Sequence, residues 1–248
     1  MAMTKHFENQ DALTHVLEKR AEGVASVTET HGTEMSGHLS TAIDSSKETA
    51  VVMLLVWLFL SFLQISFESA FVSFVAFGMG WFAWKTGRSG WLGWARLERL
   101  HRLIEQEKYE IEHHRPQERE ELVALYGAKG FEGKLLDDVV DVLMADQDRL
   151  LKVMLEEEMG LTLQAYEHPL QQTLGAAAGC FIALIVSGIL FFALPTYGVM
   201  IAAICMLIGA TALSAVFEKN RVVPAVIWNL SLGALAFGVA YFLFQIFL

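Results

Sequence analysis

The chain has 248 residues, of which 54% are hydrophobic and 19% are charged, and its formal net charge is −10. A chain that is this apolar, and that concentrates its charged residues in one region, does not have the composition of a single soluble domain. The negative charge argues against nucleic-acid binding, which needs a basic face. The two cysteines, Cys180 and Cys205, lie in apolar runs, so the sequence carries neither a disulfide framework nor a zinc signature.

The first 46 residues are mainly polar. Residues 11–21 predict a short amphipathic helix, because their apolar side chains recur on one helical face. A few side chains in the following stretch offer metal ligands, although a solvated linker is the stronger interpretation. They are His31, Glu34, Met35 and His38.

The first apolar block lies between Glu48 and Lys85 and contains only one charged residue, Glu68. As a single helix it would be roughly 54 Å long, whereas the hydrocarbon core of a bilayer is about 30 Å thick. The block therefore predicts two spans, with a turn near residues 64–68. The first span reaches its full length if it extends upstream through Asp44.

The central segment, from Glu98 to His168, holds 18 of the 28 acidic residues and only nine of the lysines and arginines. Its pattern predicts helices over residues 94–114, 117–126, 134–145 and 148–160, the first continuing out of the second span. Pro116 separates the first two, because proline ends one helix and fits the first turn of the next. Gly127 is the predicted C-cap of the second helix.

The C-terminal block predicts three further spans over residues 173–194, 199–217 and 222–248. The small residues 175–179 suit close packing between membrane helices. Together these elements predict an all-α, polytopic membrane protein with about five transmembrane helices. An insert of helices, ferritin-like in its expected arrangement, separates the second span from the third.

The positions of lysine and arginine predict the orientation. With five spans every basic residue falls on one side, which is the cytoplasmic side by the positive-inside rule. A four-span alternative would put the N-terminal region outside. The predicted domains are a cytoplasmic N-terminal segment (1–46), spans one and two (47–86), a cytoplasmic acidic metal-binding insert (87–170) and spans three to five (171–248).

Glutamates in the insert recur at helical spacing. Two pairs are separated by three residues, and a later helix adds one glutamate and one methionine. These candidate metal ligands are Glu107, Glu110, Glu118, Glu121, Met154 and Glu158. Antiparallel helices would bring them together, as in ferritin-like bundles that hold iron or manganese. Oxygen ligands suit Fe²⁺ and Mn²⁺, and a thioether favours transition metals over Mg²⁺ and Ca²⁺. A solvated acidic face is the competing interpretation, because glutamate is a good helix former. The histidines near Glu110, His113 and His114, are expected to flank a turn rather than to act as the histidine partners of di-iron bundles.

The order of elements and several local motifs resemble the vacuolar iron transporter family. Residues 105–122, EQEKYEIEHHRPQEREEL, are similar to the glutamate-rich first and second insert helices of that family. Residues 153–161, VMLEEEMGL, resemble its Met-Met-x-x-Glu-Leu-Gly-Leu stretch. The motifs EHPLQQTLGAAAG and LPTYG resemble the entry to its third span and the turn that follows. The resemblance covers roughly residue 69 to the C-terminus.

The resemblance implies that the insert is a cytoplasmic domain that captures Fe²⁺ and related ions with the same six residues. Leu155 stands where the family has a second methionine, and Glu112 or Glu120 is an alternative to a neighbouring glutamate near the proline. In the membrane half the implied pathway residues are Asp44 and Met79, although the family motifs around them are only partly kept.

The function that the resemblance implies is export of Fe²⁺ or Mn²⁺ from the cytoplasm by proton antiport, in a homodimer embedded in the lipid bilayer. The sequence carries no evident targeting signal, which favours a prokaryotic inner membrane. The alternative is a membrane-anchored, ferritin-like protein that stores or senses iron without transport, and a third possibility is that the acidic helices dock a partner protein. The sequence contains no nucleophile motif and no phosphate loop, so enzymatic activity is not predicted.

Overall fold

The computed structural model describes residues 36–158 and 168–247, apart from the side chain of residue 158. All regular elements in these ranges are helical, which confirms the all-α class. The helices are α1 (Gly37–Phe62), α2 (Phe67–His113), α3 (Arg115–Ala128), α4 (Gly133–Met144), α5 (Gln147–Val153), a π-helical turn (Met154–Glu158), α6 (Pro169–Ala193), α7 (Gly198–Phe217) and α8 (Val222–Phe247). The predicted N-terminal amphipathic helix and the candidate ligands His31, Glu34 and Met35 lie outside the described residues.

Five of the described helices, namely α1, α2, α6, α7 and α8, are long and apolar enough to cross a membrane. The described residues thus provide five candidate spans, the number that the sequence predicts. The break in the first apolar block falls at residues 63–66, where Gln64 adopts a positive φ of 50° between α1 and α2. At the turn between α6 and α7, the Trp57 indole N–H donates a hydrogen bond to the carbonyl of Pro195 over 3.1 Å.

Close packing of α1 against α6 depends on two glycines one helical turn apart. A Cβ atom at Gly175 would lie 2.1 Å from the carbonyl oxygen of His38, and one at Gly179 would lie 1.8 Å from that of Ala42. Both distances are far shorter than a van der Waals contact, so no larger residue fits. The small-residue patch therefore packs two membrane helices, as its composition predicts.

The described residues 95–158 belong to one of two compact units, which contains most of the acidic insert. In its described part, a cluster of buried apolar side chains joins the end of α2 to the insert helices. These residues are Ile111, Leu122, Val140, Leu150 and Met154. A smaller cluster packs Leu155 against Leu100. The likeness of this unit to ferritin remains a prediction.

Two details of the insert differ from the sequence prediction. Helix α3 runs through Gly127 to Ala128, and Gly130 ends it, with a φ of 93°. The amides of Gly130 and Phe131 donate to the carbonyls of Gly127 and Tyr126, over 2.9 and 3.2 Å, which is a Schellman motif. The helix predicted over residues 148–160 changes at Met154 into a π-helical turn. There the two successive side chains Met154 and Leu155 are both buried, each in a different apolar cluster.

Candidate metal centre

The junction between α2 and α3 brings two glutamate-bearing helices together. α2 ends at His113 and α3 begins at Arg115, with Pro116 in its first turn, so only His114 separates them. The backbone amide of His114 donates to the carbonyl of Glu110 over 2.7 Å, and the amide of Gln117 donates to that of His114 over 2.8 Å. The end of α2 and the start of α3 are thus each closed by a backbone hydrogen bond, and a single residue connects the two helices.

Three carboxylates meet across this junction. Glu107 and Glu110 lie one turn apart on α2, Glu118 lies on the first turn of α3, and one oxygen from each falls within 4.8 Å of the others. Glu107 is 1% exposed and Glu118 is fully buried, whereas Glu110 is partly exposed and accepts a 3.0 Å hydrogen bond from the Gln106 amide. Three oxygen donors at this separation match the ligand chemistry of Fe²⁺ and Mn²⁺.

The other predicted ligands occupy different surroundings. Glu121, one turn after Glu118, is 1% exposed. Met154 is equally buried and packs in the apolar cluster with Ile111 and Leu122. Glu158 lies at the end of the π-helical turn, and its side chain is outside the described part of the chain.

The two alternative glutamates near the proline lie on the opposite, solvent-facing side of their helices. Glu112 and Glu120 are both exposed, and the Gln147 amide donates to Glu112 over 3.3 Å. The helical faces therefore separate the buried acids of α2 and α3 from the exposed ones.

Basic side chains on the insert form ion pairs with exposed acids. Arg119 donates to Asp141 over 2.8 Å, and this hydrogen bond raises the pKa of the guanidinium. Lys129 pairs with Glu157 and lies 4.9 Å from the centre of the Tyr126 ring. Burial raises the pKa of Tyr126, the charge of Glu157 raises it further, and Lys129 opposes both.

The two pathway residues implied by the resemblance lie in the other compact unit, here called the membrane unit, which comprises the described residues 36–94 and 168–247. Asp44 is exposed on α1 and forms an ion pair of 2.7 Å with Lys47, one turn later. Met79 is 59% exposed and lines an apolar groove of about 170 Å³ together with Met53, Phe74 and Leu184.

The same unit contains an ion pair that the sequence analysis missed, between Lys85 of α2 and Glu48 of α1. In the sequence analysis, Lys85 and Glu48 mark only the two ends of the first apolar block. The signal that points to it is its position at the end of an apolar run, where a lysine that is not at the membrane surface needs an acidic partner.

No curated protein matches the chain. A model of the VIT family matches residues 93–245, which include the end of α2, the insert from residue 93 onward and all but the last residues of the final span. Members of this family are membrane transporters of metal ions, rather than enzymes. The match confirms the resemblance noted from the glutamate-rich motifs, and the chain belongs to the VIT, or vacuolar iron transporter, family.

Proposed function

We propose that this protein exports Fe²⁺ or Mn²⁺ from the cytoplasm in exchange for protons, and that the carboxylate cluster of the insert captures the ion. The observation that carries the proposal is the convergence of Glu107, Glu110 and Glu118 within 4.8 Å at the α2–α3 junction. An acidic face that merely solvates a helix would point its carboxylates outward, whereas two of these three are buried.

Capture begins with the charge of the insert. A surface rich in carboxylates raises the local concentration of divalent cations and the rate of their association. The partly exposed Glu110 offers the first oxygen to an arriving ion, and the buried Glu107 and Glu118 complete its coordination. Because metal ions and protons compete for carboxylate oxygens, binding releases protons and weakens as the pH falls.

Selectivity for transition metals is assigned to the residues around the oxygen cluster. Glu121 and Glu158 would add further oxygens, and Met154 would offer a thioether, which Mg²⁺ and Ca²⁺ do not favour. The insert faces the cytoplasm in this proposal, because the basic residues of the chain fall on its side of the membrane. Two chains would form a homodimer that lines the path of the ion through the membrane, as the family resemblance implies.

The binding step is tested by calorimetric titration of Mn²⁺ into the full-length protein in detergent micelles. We expect Glu107→Gln to lower the affinity at least about tenfold, since it removes one charged ligand from a buried site. Glu112→Gln is the matched control, because Glu112 lies on the same helix but is exposed. Equal loss in both variants, or no loss in Glu107→Gln, would contradict capture by the cluster.

The transport step is tested in proteoliposomes that contain an entrapped Mn²⁺-sensitive dye. We expect uptake of Mn²⁺ or Fe²⁺ to accelerate when the lumen is acidic and to slow when a protonophore collapses the pH gradient. Binding at Glu107 and Glu118 without any uptake would instead support the alternative of a membrane-anchored protein that stores or senses iron.

A further inference from the structure

The Lys85–Glu48 ion pair differs from every other ion pair in the described residues, because its lysine is buried. The whole residue Lys85 is 8% exposed, whereas the side chain of Glu48 is 51% exposed. Lys85 lies 18 residues after the start of α2, so it is roughly 27 Å along the helix from the α1–α2 turn. It is therefore close to the end of the spans from which α2 continues into the insert.

A second contact fixes the register of this pair. One turn before Lys85, the Trp81 indole N–H donates a 3.0 Å hydrogen bond to the hydroxyl of Thr49, which follows Glu48 directly in the chain. α1 and α2 are thus joined by two side-chain contacts one turn apart. Glu48 is the only carboxylate within ion-pair distance of Lys85 in the part of the chain that the structure describes.

Ionisable residues in membrane spans are costly, and they commonly pair with one another along the paths of ions. On α1, Asp44 precedes Glu48 by four residues, so the two carboxylates share one helical face. Each of them is held by a lysine, Asp44 by Lys47 and Glu48 by Lys85. The two lysine ammonium groups therefore occupy the positions that a cation bound to this face would take.

We propose that Lys85 is the resident counter-ion of Glu48, and that a divalent cation must displace the Lys85 ammonium before Glu48 can bind it. This inference rests on the proposed transport function and adds a residue that sets how readily an ion enters the spans. Monovalent cations compete poorly with a tethered ammonium group, so Lys85 also favours divalent ions.

The test measures Mn²⁺ binding to the full chain in detergent micelles by the electron paramagnetic resonance signal of free Mn²⁺. All variants carry Glu107→Gln and Glu118→Gln, which remove the proposed insert site. Adding Lys85→Met should create one further Mn²⁺ site per chain, about tenfold or more tighter than the remaining weak binding, because an adjacent opposite charge changes the cation affinity of a carboxylate by at least that factor. Adding Lys85→Met together with Glu48→Gln should not create it.

Arg88→Gln in the same background is the charge-matched control, because Arg88 is exposed on α2 three residues after Lys85. The proposal is overturned if Lys85→Met gains no site, if the gain survives Glu48→Gln, or if Arg88→Gln produces the same gain. Lys85→Gln replaces the methionine variant if that variant does not elute as a single species in gel filtration. The comparison of wild type with the background reports on the insert site alone, so the two proposals fail separately.

Discussion

Mn²⁺ bound at the carboxylate cluster should stabilise the folded protein, and loss of one carboxylate should reduce that stabilisation by about half or more. The ligand oxygens of Glu107, Glu110 and Glu118 lie within 4.8 Å of one another. Two negative charges at that separation repel by about 3.5 kcal/mol at an effective dielectric constant near 20. Glu107 and Glu118 are almost completely buried, so water screens this repulsion poorly. A divalent cation bound between the carboxylates attracts each of them and thereby offsets their mutual repulsion.

The expected effect of the metal follows from mass action. At a free Mn²⁺ concentration one hundred times the dissociation constant, binding stabilises the folded state by about 2.7 kcal/mol. For a chain of this size that corresponds to a rise in melting temperature of about 5–10 °C. Glu118→Gln, with an affinity at least about tenfold lower, should lose about half of this rise or more, because binding at ten times the dissociation constant contributes about 1.4 kcal/mol. Its metal-free form should melt above the metal-free wild type, because one of the mutually repelling charges is gone.

The assay is thermal unfolding of the full-length protein in detergent micelles, followed by far-ultraviolet circular dichroism with and without a metal chelator. Glu120→Gln serves as the control, because Glu120 lies on the same helix but is exposed. The reasoning is refuted if Glu118→Gln retains the full Mn²⁺-dependent rise, or if Glu120→Gln loses it. Either result would assign the ion to the solvent-facing acids.

Three further predictions concern packing and ionisation. Gly179→Ala should destabilise the membrane unit by about 1–3 kcal/mol in denaturant titrations, because the Cβ of alanine would overlap the α1 backbone. Gly188→Ala on the same helix should cause no such loss, because a Cβ at Gly188 would have no neighbouring atom within 4 Å. Gly130→Val should speed proteolysis of the α3–α4 turn, because valine is strained at a φ of 93° by about 1–2 kcal/mol. The pKa of Tyr126, measured by absorbance titration against Tyr126→Phe, should lie above that of an ordinary tyrosine. The stability that Tyr126 contributes should therefore fall as the pH rises through the ionisation range of the phenol, because the unfolded phenol loses its proton at a lower pH than the folded one.

The spans were predictable because each is a long apolar run bounded by charge, glycine or proline. The predicted span 173–194 corresponds to α6, Pro169–Ala193. Its start was placed four residues late, because Gln171 and Gln172 are polar but do not end a helix. Pro169 occupies the first turn, and the side chain of His168 accepts a hydrogen bond from the Leu170 amide over 3.2 Å, so the helix begins before the apolar run does.

The candidate site was predictable in part, because spacing determines which glutamates share a helix face and Pro116 marks where the helix ends. Spacing does not determine where a glycine ends a helix: Gly127 stays helical, and Gly130 adopts the positive φ. The π-helical turn at Met154 was also missed. A shift from one hydrogen-bond register to another depends on the packing of Met154 and Leu155 in two separate clusters, which local sequence does not encode.

The contacts of α1 and α2 had to be read from the structure, and they bear directly on transport. Residues 48 and 85 lie on different helices, so their pairing depends on the register that the Trp81–Thr49 hydrogen bond fixes. The family match covers residues 93–245, so α1 and most of α2 lie outside it. The ion-capture proposal therefore draws on the family as well as on geometry, whereas the proposed role of Lys85 rests on this chain's own contacts. Because Lys85 and Glu48 are not among the proposed ligands of the insert, metal affinity at the insert and metal binding at Glu48 should respond to different substitutions.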